Sequence, residues 1–134
     1  KYVKRINFFK NFKIIEINSS KTKKNNAIEI KKIESENILK NIKKNDLLFL
    51  LDEKGKNYDS REFAEFLKIK FQESKTIVFV IGGAFGFSKD LYSKSVGLIS
   101  LSRMTFSHQI IRLFFTEQLY RAFTILNNHP YHND

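Results

Sequence analysis

Three short stretches of this chain carry the residue types that line a ligand at the end of a sheet strand. They are Leu51-Asp52-Glu53-Lys54-Gly55, Gly82-Gly83-Ala84-Phe85-Gly86 and Leu101-Ser102-Arg103-Met104-Thr105-Phe106. Each follows an apolar run. Glycine tolerates positive φ and lets the backbone come close to a ligand, so the middle stretch suits a nucleoside or an amino-acid moiety. It matches neither the dinucleotide fingerprint nor a phosphate-binding loop, and an ordinary tight turn explains the same glycines. His108, His129 and His132 have no metal-ligand spacing, and the chain has no cysteine. A thiolate zinc site and a disulfide framework are thereby excluded; no metal is expected, and a reducing compartment, the cytoplasm, is the expected location.

The elements that must hold these stretches are read from the hydrophobic period. Leu47 to Leu51 is a strand apolar on both faces, as expected where helices cover both sides of a parallel sheet. Thr76 to Ile81 and Leu98 to Leu101 read as two more strands, and Phe12 to Ile17 as a fourth, followed by a polar loop over Ser19 to Asn26. Helical spacing covers Ala27 to Lys44, broken at Asn45-Asp46, and a short helix covers Lys89 to Val96. Asp59 and Glu62 have the spacing of a capping box, with Phe63, Phe66, Leu67 and Phe71 as one apolar stripe behind it. Ser107 opens a long helix to Asn127 that is apolar nearly all round, through Ile110, Ile111, Leu113, Phe114, Phe115, Leu119, Phe123 and Leu126. One core face does not absorb so many. Such a helix is sandwiched in a large core or shared with a second subunit, and in a small domain a homodimer interface is the expectation.

Alternating strands and helices imply a single domain over residues 1–134, built on an open, largely parallel α/β sheet with helices on both faces. Ligands of such sheets sit at the carboxyl ends of the strands, where the three stretches lie. Apolar runs such as Leu47 to Leu51 and Ile77 to Ile81 fall far short of the roughly 20 residues a membrane helix needs, so no membrane partner is expected. Lys1-Tyr2-Val3-Lys4-Arg5 does not read as a signal peptide, and the missing initial Met suggests a fragment. Lys and Arg number 24 against 14 acids, and residues 1–45 hold 13 of the bases with only 4 acids. That field attracts phosphate backbones with a salt-dependent affinity, although a composition biased to Lys, Asn and Ile accounts for the same count without any partner.

Four ordered segments then resemble one known family. Phe79-Val80-Ile81-Gly82-Gly83, Met104-Thr105-Phe106, Glu117-Gln118-Leu119-Tyr120-Arg121-Ala122-Phe123 and Asn128-His129-Pro130-Tyr131-His132 occur in the order seen in the RlmH family. That family belongs to the SPOUT, or alpha/beta-knot, methyltransferases, which methylate the N3 of a pseudouridine in large-subunit ribosomal RNA. The resemblance is close from about Leu47 onward and looser back to Phe12. It implies a C-terminal trefoil knot, a homodimer acting on the ribosome, and S-adenosylmethionine as methyl donor. It also implies that Leu51, Gly82 and the run Leu101, Ser102, Arg103, Met104, Thr105 and Phe106 line the donor pocket; a core role for Met104 and Phe106 is the plainer alternative. The N3 proton must leave, so His132 and Tyr131, on a tail after Pro130, become candidates for a base or for ordering the nucleotide. Arg121 and Arg112 on the long helix suit RNA phosphate or the donor carboxylate, or else an interface ion pair.

The departures are specific. Ala84-Phe85 replaces the usual polar or proline-containing pair of the glycine stretch, which puts donor affinity in question, and Ser107 stands where proline is common. Lys1 to Phe9 corresponds to the end of a first helix, so the family's first strand and part of that helix are expected to be missing. The rivals are a non-catalytic basic RNA-binding dimer of the same fold and an unrelated nucleotide-binding α/β domain; donor binding separates the first from the enzyme, and an unknotted chain with no preference for ribosomes marks the second.

Overall fold

The computed structural model describes residues 1–15, 27–74, 76–82 and 86–133. Three parallel strands form its sheet: β1 (Leu47–Asn57) lies between β2 (Ile77–Ile81) and β3 (Gly97–Ser100). Side chains alternate across a strand, and β1 uses both sides. Phe49 and Leu51 join one buried cluster and Leu48 and Leu50 the other, which is why its sequence lacks the apolar-polar alternation of a half-exposed strand.

The crossovers decide which helix covers which face. From β1 the chain passes through α3 (Ser60–Glu73) to β2, then returns through α4 (Lys89–Lys94) to β3 on the far side of β1. Two right-handed crossovers in opposite directions put their helices on opposite faces. Accordingly Phe63, Ala64 and Leu67 of α3 pack with Phe49 and Leu51, whereas Phe87 and Leu91 pack with Leu48 and Leu50. The long α5 (His108–Leu126) covers the α3 face through Phe115, Leu119 and Phe123, and α1 (Tyr2–Asn7) packs beside it through Ile6. On the other face lies α2 (Ala27–Leu39), with Ile38 and Leu39 against the α4 cluster. Each large side chain buried here is worth about 1.5–3 kcal/mol.

Caps fix the helix starts. The Asp59 carboxylate accepts from the Glu62 N–H at 2.7 Å while Glu62 Oε1 accepts from the Asp59 N–H at 2.9 Å, closing the expected capping box. Ser88 caps α4, and Ser107 caps α5 in place of proline. Buried Ser35 of α2 accepts from the Ser88 N–H at 3.1 Å, tying the two helices of that face together.

Three expectations are corrected. Phe12 to Ile15 is not strand: the Asn7 side chain engages both the N–H and the carbonyl of Phe12 at 2.9 Å, and Ile14 and Ile15 are exposed and have no sheet neighbour among the described residues. The rest of that segment and the loop over Ser19 to Asn26 lie outside the described residues. α2 ends at Leu39 rather than Lys44, because i→i+3 bonds from Asn41 to Ile38 and from Ile42 to Leu39 tighten and close its last turn. β1 does not stop at Leu51: Leu51 and Lys56 both lie opposite Ile99, so residues 52–55 form a bulge within one long strand. As the count of apolar residues on α5 implied, one core face does not absorb them all: Ile110, Leu113 and Phe114 are exposed. No helix of the described residues is long and apolar enough to cross a membrane.

Candidate functional site

Register brings the three stretches together. Leu51 lies opposite Ile81 on one side and Ile99 on the other, so the segments that follow leave the same sheet edge side by side, about 5 Å apart per strand. Leu51 itself is nearly buried. Gly82 follows β2 directly, and Gly86 takes φ +79, a conformation that suits glycine. Gly83, Ala84 and Phe85 lie outside the described residues, so the expected effect of the Ala84-Phe85 pair falls there too.

The turn after β3 is shaped by its own hydroxyls. Ser100 Oγ donates to the Ser102 carbonyl at 2.9 Å, and the Met104 N–H donates to Ser102 Oγ at 3.0 Å. Thr105 Oγ1 donates to Glu53 Oε2 at 3.0 Å, which draws the turn onto the β1 bulge. Leu101 packs on the core, and Phe106 lies edge-on to Phe114 at 5.7 Å. Met104, by contrast, is 71% exposed, which rules out the core role that was its plainer reading. The edge thus offers backbone polar groups beside exposed apolar surface, a combination that fits the adenosine and methionine parts of S-adenosylmethionine.

Arg121, Tyr131 and His132 form a second assembly. α5 ends at Leu126 with Asn127 as its C-cap, and Asn128 takes the left-handed conformation (φ 56) that asparagine tolerates, so the chain reverses and the His129 N–H reaches the Thr124 carbonyl. The tail then runs back along the helix. Tyr131 packs edge-on against Tyr120 at 4.7 Å, with the Arg121 guanidinium over its ring at 4.9 Å. Arg121 donates Nε and Nη2 to Glu117 Oε1 at 3.0 and 2.7 Å, and Nη1 meets His132 Nδ1 at 3.0 Å. A guanidinium has donors only, so Nδ1 accepts and the ring proton sits on Nε2.

Glu117 is the residue that sequence reasoning passed over as a site residue. It binds Arg121 one helical turn away and accepts the Tyr131 hydroxyl at 3.1 Å; the Glu-to-Arg spacing of four was the available signal. Its hydrogen bond raises the Arg121 pKa still further. Burial, together with hydrogen bonds to Tyr2 and Glu117, pushes the Tyr131 phenol up to about 12, so it keeps its proton. Burial and Asp52 do the same to Tyr92. A folded pKa above the ordinary value near 10 means that this share of stability is present below pH 10 and lost as pH rises toward 12. Thermal melts across that window, with tyrosinate absorbance as the monitor, are expected to show a falling midpoint that Tyr131→Phe and Tyr92→Phe each reduce.

The two assemblies are not adjacent along α5. Arg121 lies about 20 Å down the helix axis from Ser107, where the turn after β3 joins it. Among the described residues no group of three acidic or histidine side chains is placed to hold a metal ion.

Comparison with known proteins now adds a family. Residues 1–132 match the model of a family described as predicted SPOUT methyltransferases. The chain is 52% identical over 134 residues to ribosomal RNA large subunit methyltransferase H of Flavobacterium psychrophilum, covering 98% of this chain and 85% of that one. It is 48% identical to the protein of the same name from Phocaeicola vulgatus, covering 99% and 86%. The corresponding Bacteroides thetaiotaomicron protein is 46% identical with the same coverage. A match over nearly the whole length, on a fold whose strand-end turns meet at one edge, leaves one reading: the chain belongs to the SPOUT methyltransferase family.

Proposed function

We infer that this protein transfers a methyl group from S-adenosylmethionine to large-subunit ribosomal RNA, at the N3 of a pseudouridine, working in the cytoplasm as a homodimer with a knotted C-terminal region. The observation that carries the reading is the 52% identity, over nearly the full chain, to a protein named for methylating that RNA. The donor, when bound, supplies a methyl group on a positively charged sulfur. The chain must then align the attacking nitrogen with that methyl and exclude water.

Leu51, Gly82 and residues 101–106 are assigned to the donor, through backbone groups and apolar contact. Arg121, Tyr131 and His132 are assigned to the RNA nucleotide. With Tyr131 holding its proton and His132 Nδ1 engaged by Arg121, these side chains suit ordering the nucleotide better than removing its proton. The basic N-terminal third supplies attraction for the phosphate backbone, although Arg5 lies over the Tyr120 ring and Lys10 over Phe71.

The separation along α5 supports a dimer, because Arg121, about 20 Å along the helix from the turn that precedes it, suits a partner's pocket. So does the stripe of Ile110, Leu113 and Phe114, three exposed apolar side chains at i, i+3 and i+4. Phe114→Glu is expected to reduce the mass measured by light scattering from two chains to one and to abolish methyl transfer while the fold is retained. A variant that stays dimeric would remove this interface.

The function itself is tested on large ribosomal subunits from cells that lack the modification. Incubation with purified protein and labelled donor should place one methyl group on pseudouridine, read by nucleoside mass spectrometry. RNA binding without donor binding would favour the non-catalytic dimer instead.

A further inference from the structure

We propose that Asp52 and Glu53, adjacent acids on the β1 bulge, are positioning residues that clamp the other two turns of the donor pocket in place; this rests on the donor reading given above. Neither acid belongs to the residues assigned to donor or RNA. Each is engaged in a different direction. Asp52 Oδ2 accepts the Tyr92 hydroxyl at 2.5 Å, and its Oδ1 accepts the Lys54 N–H at 2.9 Å, which fixes the carboxylate on the bulge. Tyr92 belongs to α4 and lies edge-on to Phe87 at 5.8 Å, and the Phe87 ring sits directly against Gly82. A line of contacts therefore runs from Asp52 to the start of the glycine stretch.

Glu53 reaches the opposite way. Its carboxylate accepts Thr105 Oγ1, inside the turn after β3. The hydrogen bonds from Ser100 Oγ and the Met104 N–H close within that turn. The Glu53 bond ties the far part of the turn to β1, beyond the pairing of Ser100 with Asn57. Charged acceptors make the stronger hydrogen bonds, yet both partners are exposed, so the effect is one of geometry and not of fold stability.

The test uses the intact protein. Calorimetric titration with S-adenosylmethionine is expected to show about three- to tenfold weaker binding for Glu53→Ala, while Glu53→Gln, whose amide oxygen still accepts from Thr105, stays near wild type. Tyr92→Phe, which removes the other arm, is expected to weaken binding to a similar degree, with melting temperatures little changed at neutral pH. Hydrogen exchange read on residues 102–106 provides the second measurement, and Glu53→Ala should accelerate it. Wild-type affinity in Glu53→Ala, with unchanged exchange, overturns the positioning role and leaves the donor reading intact. Accelerated exchange in a protein that binds no donor in any form overturns the donor reading and supports the clamp as a structural device.

Discussion

Gly55→Ala is expected to cost about 2–4 kcal/mol of stability, lowering the melting temperature by about 10 °C. A Cβ built at this position lies 2.6 Å from the Ile99 nitrogen and the Leu98 carbonyl carbon, and 2.7 Å from the Ile99 carbonyl carbon. All three are backbone atoms of β3, so no rotamer change relieves the collision. Either the bulge lifts away or β3 shifts and loses its pairing with β1, and Ile99, 2% exposed, moves out of the core with it. A domain of this size has only about 5–15 kcal/mol in hand. Denaturant unfolding of the variant against the parent measures the loss directly. An unchanged midpoint would mean that the bulge does not abut β3 as described.

Gly82→Val should weaken binding of S-adenosylmethionine by at least about a hundredfold, roughly 2.7 kcal/mol. Here the collision is with a side chain: the Cβ falls 2.7 Å from Cε1 and Cζ of Phe87. A ring at the surface would swing aside. This one is 4% exposed and packed with Leu48, Leu50 and Leu91, so the turn after β2 must give way instead. Gly82→Ala is expected to be intermediate, and adding Phe87→Leu to Gly82→Ala should recover part of the affinity by freeing the space the ring fills. Calorimetry on the series, with circular dichroism to verify folding, decides the matter. Undiminished binding by the valine variant would exclude Gly82 from the pocket.

Elements with strong local signals were legible in the sequence. The capping box at Asp59, the stripe behind it and the long helix after Ser107 rest on short-range chemistry, and all three are present. Leu47 to Leu51, apolar at every position, correctly implied cover on both faces. Failures came where the outcome depends on distant partners. Phe12 to Ile15 has strand-forming residues, yet a strand exists only when another pairs with it, and the Asn7 side chain takes the Phe12 groups instead. The continuation of β1 past Asp52 was hidden because Glu53, Lys54 and Lys56 carry no apolar signal; backbone pairing with β3 alone makes them strand.

The site was legible in the same uneven way. That three stretches would share one edge followed from strand order of any parallel sheet, and the register bears it out. Grouping Arg121 with Tyr131 and His132 required the chain reversal at Asn128, a single left-handed residue that no periodicity announces. The spacing of four from Glu117 to Arg121 was readable, but that Glu117 also holds Tyr131 follows from the same reversal.

The irregular pairing of β1 separates what the sheet requires from what the site requires. Since the ladder aligns Leu51 and Lys56 with the same neighbour, hydrogen-bonded pairing reads the same whatever side chains occupy positions 52–54. A side chain there can be polar without disturbing the burial of residues 47–51, which the two apolar clusters hold to register. Gly55 anchors the excursion at one end, so the acids before it answer to the turns they hold, through Tyr92 and Thr105, rather than to the ladder itself.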